Sequence, residues 1–369
     1  MPAIRKRSWT DAKGEQRQAW LVDYRDAAGV RRAKQFVRKK DADAWSTTAA
    51  WQVSQGTHTP DSISITVKKA ADQWVDRAQR DGLEPTTIAA YDQHVRLHLN
   101  PLCGDVKLSQ LTTPMIEGYR DQMVDRLSRP MAIRVLRSLT SIIAESQRRG
   151  QVAQNVALAV RVKRQGRKRA KTPIPPKAAL TALLRAALAS DDRQTAPLAM
   201  LAVFAGLRAS ELRGLSWRQL DLKGCSVTID QRADATGTIG APKSAASRRT
   251  VPLPASTVAA LKEWKLACKA SALDLVFPSL AGKVMSHPYM SGNVLGSAMA
   301  KAMVTDITLH DLRHAAASLW IEQRVEPKRV QTWLGHHSIQ VTFDTYGHLF
   351  EATERESSVA AAIEKALIG

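Results

Sequence analysis

The chain has 369 residues, a net charge of +20 and an apolar fraction of 44%. This length and composition predict two or three globular domains with real hydrophobic cores. The excess of Lys and Arg indicates a polyanionic partner, and nucleic acid is favoured because each neutralised phosphate releases a counterion. A basic membrane-surface protein is the rival interpretation, but the sequence offers no clear basic amphipathic segment or lipidation signal.

The three cysteines, Cys103, Cys225 and Cys268, are odd in number and widely spaced. They indicate reduced thiols rather than a disulfide framework. The first seven residues are basic but lack the apolar stretch of a secretory signal. The longest apolar run, 196–207, contains a proline and is too short to span a bilayer. We therefore expect a soluble, cytoplasmic protein.

Residues 1–56 are expected to form a small β-rich domain. Partial alternation over 19–24 predicts one strand, 31–36 predicts a second, basic strand after a turn at 26–29, and residues 40–51 are helical in pattern. A basic sheet of this kind fits against a DNA groove, and the alternative is a solvated sheet surface. The candidate DNA-binding residues here are Arg5, Lys6, Arg7, Arg31, Arg32 and Lys34.

A linker-like stretch at 56–60 precedes a region, 63–160, in which the helical period dominates. Helices are predicted near 67–80, 86–97, 113–126 and 130–150, partly from prolines in their first turns. They form a compact all-α domain without obvious catalytic residues.

Residues 161–173 are strongly basic and contain no acid, so we expect a linker that follows DNA phosphates, with a nuclear signal as the alternative. The candidate DNA-binding residues of this linker are Arg161, Lys163, Arg164, Arg167, Lys168 and Arg169.

The largest predicted domain covers residues 174–355, followed by a tail at 356–369. Its pattern predicts mainly helices with a small antiparallel sheet. The predicted helices are 177–189, 197–205, 257–269, 289–300, 309–323 and 327–334. The predicted strands are 226–229, 238–239 and 250–253.

Arg208 and Arg313 are candidates for holding a phosphodiester, because arginine stays charged and forms bidentate hydrogen bonds with phosphate oxygens. Taken singly, each is better explained as a surface or structural residue. Glu211 follows Arg208 by one helical turn, where it orients the guanidinium or forms a simple i,i+3 pair.

Lys243 lies between two strand patterns, near the tip of a predicted hairpin. An ammonium at a flexible tip can reach the leaving oxygen of a phosphodiester and protonate it as a general acid. The alternative is an exposed turn lysine.

Tyr346 is the candidate nucleophile. Only about one free tyrosine in a thousand is ionised at neutral pH, because its pKa is near 10. Two arginines and nearby histidines are expected to lower that pKa by stabilising the phenolate. His310 and His336 are candidates for accepting the phenolic proton or for hydrogen bonding the phosphate. The alternative is an ordinary core or surface tyrosine.

A metal site is the competing interpretation of the histidines, because His310 and His314 are spaced i, i+4. The segment lacks the glutamate of an H-E-x-x-H motif, and Arg313 beside a metal ion is unfavourable. We therefore expect no metal and no other cofactor.

Together these residues resemble the tyrosine recombinase (phage integrase) family. The family pattern is G-x-R-x-x-E-L, a hairpin lysine, H-x-x-R, then L-G-H and a tyrosine about ten residues later. All of it occurs here in order, within 196–348. In sequence the elements are Gly206, Arg208, Glu211, Leu212, Lys243, His310, Arg313, Leu334, Gly335, His336 and Tyr346. The upstream regions resemble the arm-binding and core-binding domains of longer integrases.

The resemblance implies a multidomain fold: a β-rich arm-type domain, an all-α SAM-like core-binding domain and the DNA breaking-rejoining enzyme fold. Tyr346 would attack the scissile phosphate and form a 3′-phosphotyrosyl link. Arg208, Arg313 and His336 would stabilise the transition state, Lys243 would protonate the leaving 5′ oxygen, and His310 would assist proton transfer at the tyrosine.

The implied partners are double-stranded DNA, three further copies of the chain in a homotetramer on paired sites, and a directionality factor. The tail after Phe350 would dock on a neighbouring subunit or pack on its own. The favoured function is a bacterial, nucleoid-associated integrase of a mobile element such as a prophage. The alternatives are an Xer-type chromosome-resolution recombinase, a type IB topoisomerase and a DNA-binding protein that does not cleave.

Overall fold

The computed structural model describes residues 3–163, 174–242, 244–304 and 306–350. The chain divides into two compact units, 1–166 and 167–369. Several predicted features lie outside the described residues: Lys243, the linker residues Arg164, Arg167, Lys168 and Arg169, and the tail 356–369.

The first unit begins with a three-stranded antiparallel sheet in the order β1-β2-β3, followed by a helix. The elements are β1 (Ala3–Thr10), β2 (Gln16–Arg25), β3 (Arg31–Phe36) and α1 (Lys39–Ser54). The turn between β2 and β3 forms where the sequence predicts it. Asp26 Oδ1 accepts hydrogen bonds from the amides of Ala28 and Val30, and Gly29 takes a φ of 77°.

One face of this sheet packs against α1. The Trp45 ring of α1 lies 5.2 Å from the Tyr24 ring and 5.5 Å from the Phe36 ring. Side chains alternate between faces along a strand, and directly paired residues share a face. The register of the three strands therefore assigns the opposite face a row of exposed arginines: Arg5, Arg7, Arg17, Arg25 and Arg31. We call this surface the arginine face.

The six basic residues predicted to bind DNA from this sheet are split by its register. Arg5, Arg7 and Arg31 lie on the arginine face, whereas Lys6, Arg32 and Lys34 lie on the face that packs against α1. Arg32 and Lys34 are also engaged within the unit, because Arg32 pairs with Asp26 at 2.9 Å and Lys34 with Asp61 at 2.6 Å.

The segment after α1, predicted as a linker, is fixed on both sides. His58 Nε2 lies 2.9 Å from the Tyr24 hydroxyl on the sheet side. Asp61 accepts hydrogen bonds from Lys34 and Ser109, at 2.6 Å each, and so joins the sheet to the helical region. These hydrogen bonds help to hold the sheet and the helices in one compact unit.

The helical region follows the predicted order closely. Its elements are α2 (Val67–Arg80), α3 (Pro85–Gln93), α4 (Asn100–Cys103), α5 (Thr113–Arg126) and α6 (Arg129–Arg148). A π-helical stretch, His94–Leu99, joins α3 to α4, so the helix predicted at 86–97 runs further. The core includes Trp74, Leu99, Ile116 and Leu139.

The second unit is mainly helical. Its helices are α7 (Lys177–Leu188), α8 (Thr195–Phe204), α9 (Ala209–Arg213), α10 (Ala255–Ala267), α11 (Gly296–Lys301), α12 (Leu309–Glu322), α13 (Pro327–Leu334) and α14 (Ile339–Phe350). Its strands are β4 (Leu220–Asp221), β5 (Ser226–Ile229), β6 (Arg232–Ala233), β7 (Ile239–Gly240) and β8 (Arg249–Pro252). They form one sheet in the order β4-β5-β8 and a separate β6-β7 pair.

Four elements of this unit were not predicted: α9, α14, β4 and β6. Three of them span five residues or fewer, too short to show a period. The fourth, α14, contains Gly347 and the β-branched residues Val341, Thr342 and Thr345, which favour helix weakly. Its helix forms because Tyr346 packs with α12 and α13 residues such as Ala317 and Leu334. Among the residues described, no helix combines the length and apolarity needed to cross a membrane.

Candidate active site

Arg208 is positioned by a sharp turn at the end of α8. Gly206 takes a φ of 58°, which sends Leu207 into the core and makes Arg208 the N-cap of α9. A Cβ at Gly206 would lie 3.1 Å from Ala316 Cβ and 3.2 Å from Trp320 Cη2, so this turn also fits closely against α12. The predicted G-x-R spacing therefore has a steric cause.

Glu211 is the buried centre of the site. Its Oε1 accepts from Arg208 Nη1 at 2.8 Å, and its Oε2 accepts from the Arg208 amide at 2.8 Å. Arg249 donates from Nη1 and Nη2 to the same two oxygens, at 2.9 and 2.7 Å. The carboxylate thus holds one partly exposed and one buried guanidinium.

Burial tends to raise the pKa of Glu211, but the Arg249 hydrogen bonds and the charges of Arg249, Arg208 and Arg313 outweigh it. The pKa falls from 4.5 to about 2. Glu211 is therefore a permanent anion at neutral pH. It orients Arg208, as the first of the two sequence interpretations proposed.

Arg249 was not predicted as a site residue. It lies on β8, where Arg249 and Val251 point inward and Thr250 and Pro252 point outward. Its Nε donates to the Trp333 carbonyl at 2.6 Å, so it also holds the end of α13. The period-two alternation of this strand was the available signal, because it places an arginine on the core face.

Arg313 is buried on α12 and contacts backbone carbonyls. Its Nη1 donates to the Gly206 carbonyl at 2.7 Å and its Nη2 to the Leu334 carbonyl. Burial is the main cause that lowers its pKa to about 9, so the side chain remains charged at neutral pH. Arg208 Nη2 donates to the next carbonyl, that of Gly335, at 3.0 Å. Consecutive peptide groups of one turn therefore hold both predicted arginines.

The same turn positions His336. Gly335 ends α13 with a left-handed φ of 63°, and His336 Nδ1 then lies 3.0 Å from the Thr342 hydroxyl. Burial, followed by the charges of Arg313, Arg208 and Arg249, lowers the pKa of His336 to about 3. His336 is consequently neutral at physiological pH. With Nδ1 engaged by Thr342, Nε2 is the ring nitrogen left for another partner, and it is a donor in the tautomer in which Nδ1 accepts from the Thr342 hydroxyl.

A cavity of about 330 Å³ lies in front of these groups. It is lined by Arg208, Ser210, Glu211, Arg232, Pro242, Ser244, Ser247, Gly335, His336, His337 and Val341. The two immediate neighbours of Lys243 thus reach the cavity.

Tyr346 lies on α14 and is 1% exposed. Its hydroxyl is 2.6 Å from His314 Nδ1. Burial raises its pKa to about 12, and the opposing charge of Arg313 is too weak to reverse the shift. The expectation of a lowered pKa is therefore wrong in this conformation, because the burial of the hydroxyl outweighs the charge of Arg313.

The histidine against the tyrosine is His314 and not His310. His310 is exposed, and its ring packs edge-on against His314 with 4.4 Å between the ring centroids. From the sequence, His314 is a candidate only for binding a metal. In the described part of the chain, no group of three or more His, Cys, Asp or Glu side chains could hold a metal ion.

Two of the predicted linker residues fall within the described ranges. Arg161 Nη1 donates to the Val160 carbonyl at 3.0 Å, and the Lys163 carbonyl accepts from Arg129 at 3.0 Å. Both remain predicted DNA contacts.

Residues 176–353, the part of the chain that contains this cavity and Tyr346, match the model of the phage integrase family. This part of the chain therefore belongs to that family of tyrosine recombinases. The family assignment from the sequence motifs is thereby confirmed.

Two curated tyrosine recombinases are similar to this family member. XerC of Xanthomonas axonopodis pv. citri (strain 306) is 35% identical over 153 residues, which is 41% of this chain and 46% of that protein. XerD of Pseudomonas aeruginosa is 26% identical over 266 residues, 69% of this chain and 80% of its own. The chain thus spans about half the length of the XerC relative.

Two solved integrases share the fold. The Tn1549 transposon integrase in complex with transposon right end DNA has a TM-score of 0.65 at 17% identity, covering 83% of this chain and 100% of that one. The lambda integrase dimer bound to a COC′ core site has a TM-score of 0.61 at 18% identity, covering 95% of each chain. At such identities the likeness concerns the fold alone, and it confirms the predicted fold class.

Replacing Glu211 by Gln should destabilise the integrase-family unit by about 3–5 kcal/mol, because buried Arg249 loses its counter-ion. Urea unfolding of the full chain measures the change. Glu322→Gln is the control, since Glu322 pairs with Lys177 at the surface and its loss should cost about 1 kcal/mol or less. Equal losses in the two variants would contradict the role given to Glu211.

In the unchanged protein, the contribution of Glu211 to stability is complete above pH 4.5 and is lost as pH falls towards 2.

Gly335→Ala should destabilise the same unit more than Gly282→Ala does. Both residues have positive φ, 63° and 71°, so both variants lose about 1–2 kcal/mol to backbone strain. At Gly335 the new methyl group also meets Arg249 Nη1 at 3.1 Å and Ser247 Cα at 3.2 Å, whereas at Gly282 the nearest atom is 3.9 Å away. We expect an additional loss of about 1–3 kcal/mol in thermal or urea unfolding. A Gly335 variant no worse than its control would show that the turn can move away from Arg249 freely.

Proposed function

We propose that this chain is a site-specific DNA recombinase that breaks a phosphodiester with Tyr346 and conserves the bond as a 3′-phosphotyrosyl link. The observation that carries the proposal is the cavity itself. A charged arginine and a neutral histidine line it, a buried carboxylate holds that arginine, and a tyrosine hydrogen-bonded to a histidine lies on the next helix, α14. These groups suit phosphoryl transfer that uses a protein nucleophile and no cofactor.

Arg208 is the primary phosphate ligand in this proposal. Its side chain is 36% exposed, and Glu211 and the Gly335 carbonyl fix its direction. His336 donates from Nε2 to a second oxygen as a neutral ligand. Arg313 donates a hydrogen bond to the Leu334 carbonyl and adds positive charge to the site. Direct contact between Arg313 and the phosphate stays a prediction.

Lys243 is the proposed general acid. Its two neighbours in sequence, Pro242 and Ser244, line the cavity, and this supports assigning the protonation of the leaving oxygen to Lys243. Departure of the 5′ oxygen with this proton preserves the phosphate bond energy in the tyrosyl ester. The 5′ hydroxyl of another strand then reverses the step.

Attack requires the Tyr346 hydroxyl to leave its buried position and reach the phosphorus. The described conformation is therefore proposed to be a resting state in which α14 has not delivered the nucleophile. Binding of DNA and of neighbouring subunits would supply the energy for that displacement.

The proposed biological role is integration and excision of a mobile element. The arginine face supports it, since five exposed arginines on one side of a separate sheet suit a second DNA contact apart from the cleavage site. Solved lambda integrase binds DNA as a dimer and as a tetramer on a Holliday junction. We propose that this chain likewise acts on double-stranded DNA as a homotetramer, with a directionality factor as a further partner.

The second candidate is an Xer-type recombinase that resolves chromosomes. Its support is the 35% identity to XerC, which covers 153 residues. The two candidates differ in substrate: an integrase joins the element to a host site, whereas an Xer-type enzyme acts on sites of the chromosome itself.

Incubating the protein with nicked duplexes that tile the DNA beside its gene should yield a covalent protein–DNA adduct on a denaturing gel. Tyr346→Phe should abolish the adduct, because the ring stays in place while the nucleophile is lost.

Lys243→Ala should slow adduct formation about 100-fold or more. A 5′-phosphorothiolate at the scissile bond should restore the rate of adduct formation, since sulfur leaves without a proton.

Phe343 is a matched control for the nucleophile, because it lies one turn earlier on α14 and is exposed. Phe343→Tyr in the Tyr346→Phe background should not recover the adduct. A persistent adduct in Tyr346→Phe would refute the nucleophile. The absence of any adduct with the unchanged protein would favour a binding protein that does not cleave.

Arg7→Ala should weaken binding to duplex DNA and reduce the slope of log K against log salt by about 1, because one phosphate contact is lost. Lys6→Ala is the matched control, since this neighbouring residue lies on the opposite face of β1. Fluorescence anisotropy over a salt series measures both. Equal losses in the two variants would remove the arginine face from the DNA contact.

A further inference from the structure

A second arginine, Arg232, lines the cavity in which Arg208 lies. It comes from strand β6, it is partly buried, and it is not among the residues that the sequence motifs identify. In the part of the chain that the structure describes, the cavity lining also contains one acid, Glu211, whose two oxygens already accept from the buried Arg249. The lining therefore combines two arginines with one carboxylate that is neutralised from behind.

The end of α9 fixes the backbone of β6 at Arg232. Gln231, the residue before Arg232, donates from Nε2 to the Gly214 carbonyl at 2.7 Å. A Cβ at Gly214 would lie 2.6 Å from the Arg232 carbonyl carbon and 2.5 Å from the Ala233 nitrogen, so this close approach requires a glycine. The main chain that carries Arg232 is therefore packed directly against the end of this helix.

Arg213, in the last turn of α9, holds the other end of the same strand. This buried side chain donates from Nη1 to the Asp234 carbonyl at 2.9 Å and from Nε to the Met285 carbonyl at 2.6 Å. Arg208 is the N-cap of α9, and the helix advances about 9 Å from its N-cap to its C-cap. The two arginines of the cavity are thus attached to opposite ends of one short helix, which sets the spacing between their backbones.

The cavity has room for more than the phosphate that is cleaved. A water molecule takes up about 30 Å³ in the liquid, so a cavity of about 330 Å³ exceeds what a single phosphate group fills. Consecutive phosphates of a DNA strand are separated by one sugar, and each carries a negative charge. Arginine suits such groups because it stays charged and forms paired hydrogen bonds with phosphate oxygens. Two arginines at a fixed spacing therefore match two consecutive phosphates.

We propose that Arg232 binds the phosphate next to the scissile one and so positions the scissile phosphate against Arg208. This inference rests on the proposed cleavage by Tyr346. Arg232 takes no part in proton transfer. Its contribution is orientation, because a strand held at two points samples fewer positions than a strand held at one. Loss of the contact should therefore slow cleavage even when the protein saturates the DNA.

The test combines a protein variant with a neutralised phosphate. In the duplex that gives the adduct, a methylphosphonate replaces the phosphate on the 5′ or the 3′ side of the scissile one and removes its charge. The unchanged protein should cleave one of these two duplexes about 10- to 100-fold more slowly. Arg232→Gln should cleave the ordinary duplex more slowly by a similar factor. It should lose little more on that methylphosphonate, since the contact is already absent.

Arg185→Gln is the matched control, because this exposed arginine of α7 lies outside the cavity lining and its replacement removes the same charge. It should retain both the normal rate and the full sensitivity to the methylphosphonate. Arg232→Lys should recover part of the rate that Arg232→Gln loses, because an ammonium keeps the charge without the paired hydrogen bonds.

Each outcome has one meaning. The inference is overturned, and cleavage by Tyr346 stands, in three cases: Arg232→Gln cleaves at the normal rate, it is slow but stays fully sensitive to the methylphosphonates, or the unchanged protein is insensitive to both of them. Absence of an adduct with the unchanged protein overturns the proposed function, and the inference falls with it. A slow Arg232→Gln that has lost its sensitivity to one neighbouring phosphate supports both.

Discussion

The site depends on one buried carboxylate. Glu211 is 3% exposed and shares its two oxygens between Arg208, which faces the cavity, and Arg249, which faces the core. A buried charge is tolerated only when it has a partner of opposite charge. Removing one member of this network therefore leaves another charge buried and unpaired, which destabilises the fold. Through Arg249 the network also holds the end of α13, and it therefore links the start of α9, strand β8 and the turn before His336.

Much of this arrangement was accessible from local sequence patterns. The G-x-R-x-x-E-L segment predicted Arg208 and its orienting Glu211, and helical periodicity predicted α12 and α13 almost to the residue. Arg249 was missed because its partner lies 38 residues away, and no local pattern records such a contact. The alternation along β8 indicates that Arg249 points inward, but it does not identify Glu211 as its partner.

The same limit explains the tyrosine. Sequence spacing placed Tyr346 ten residues after His336 and suggested that both belong to one pocket. The pKa of a phenol, however, depends on the few ångströms around its oxygen. Packing of α14 on α12 puts that oxygen against His314, one helical turn beyond the motif histidine, and buries it. Tertiary packing, and not the spacing of residues in the sequence, therefore determines which histidine contacts the hydroxyl.

The arginine face carries its own counter-ion. Arg17 pairs with Asp11 and Glu15, and Asp23 lies within 3.1 Å of Arg5 and 3.4 Å of Arg31, so three of the five arginines begin in an internal ion pair. An isolated phosphate that replaces this carboxylate exchanges one anion for another and gains little. In the proposed DNA contact, a duplex would engage several arginines together and gain by releasing the ions condensed along its backbone. The sheet would then discriminate by the density of negative charge, against nucleotides and other small anions.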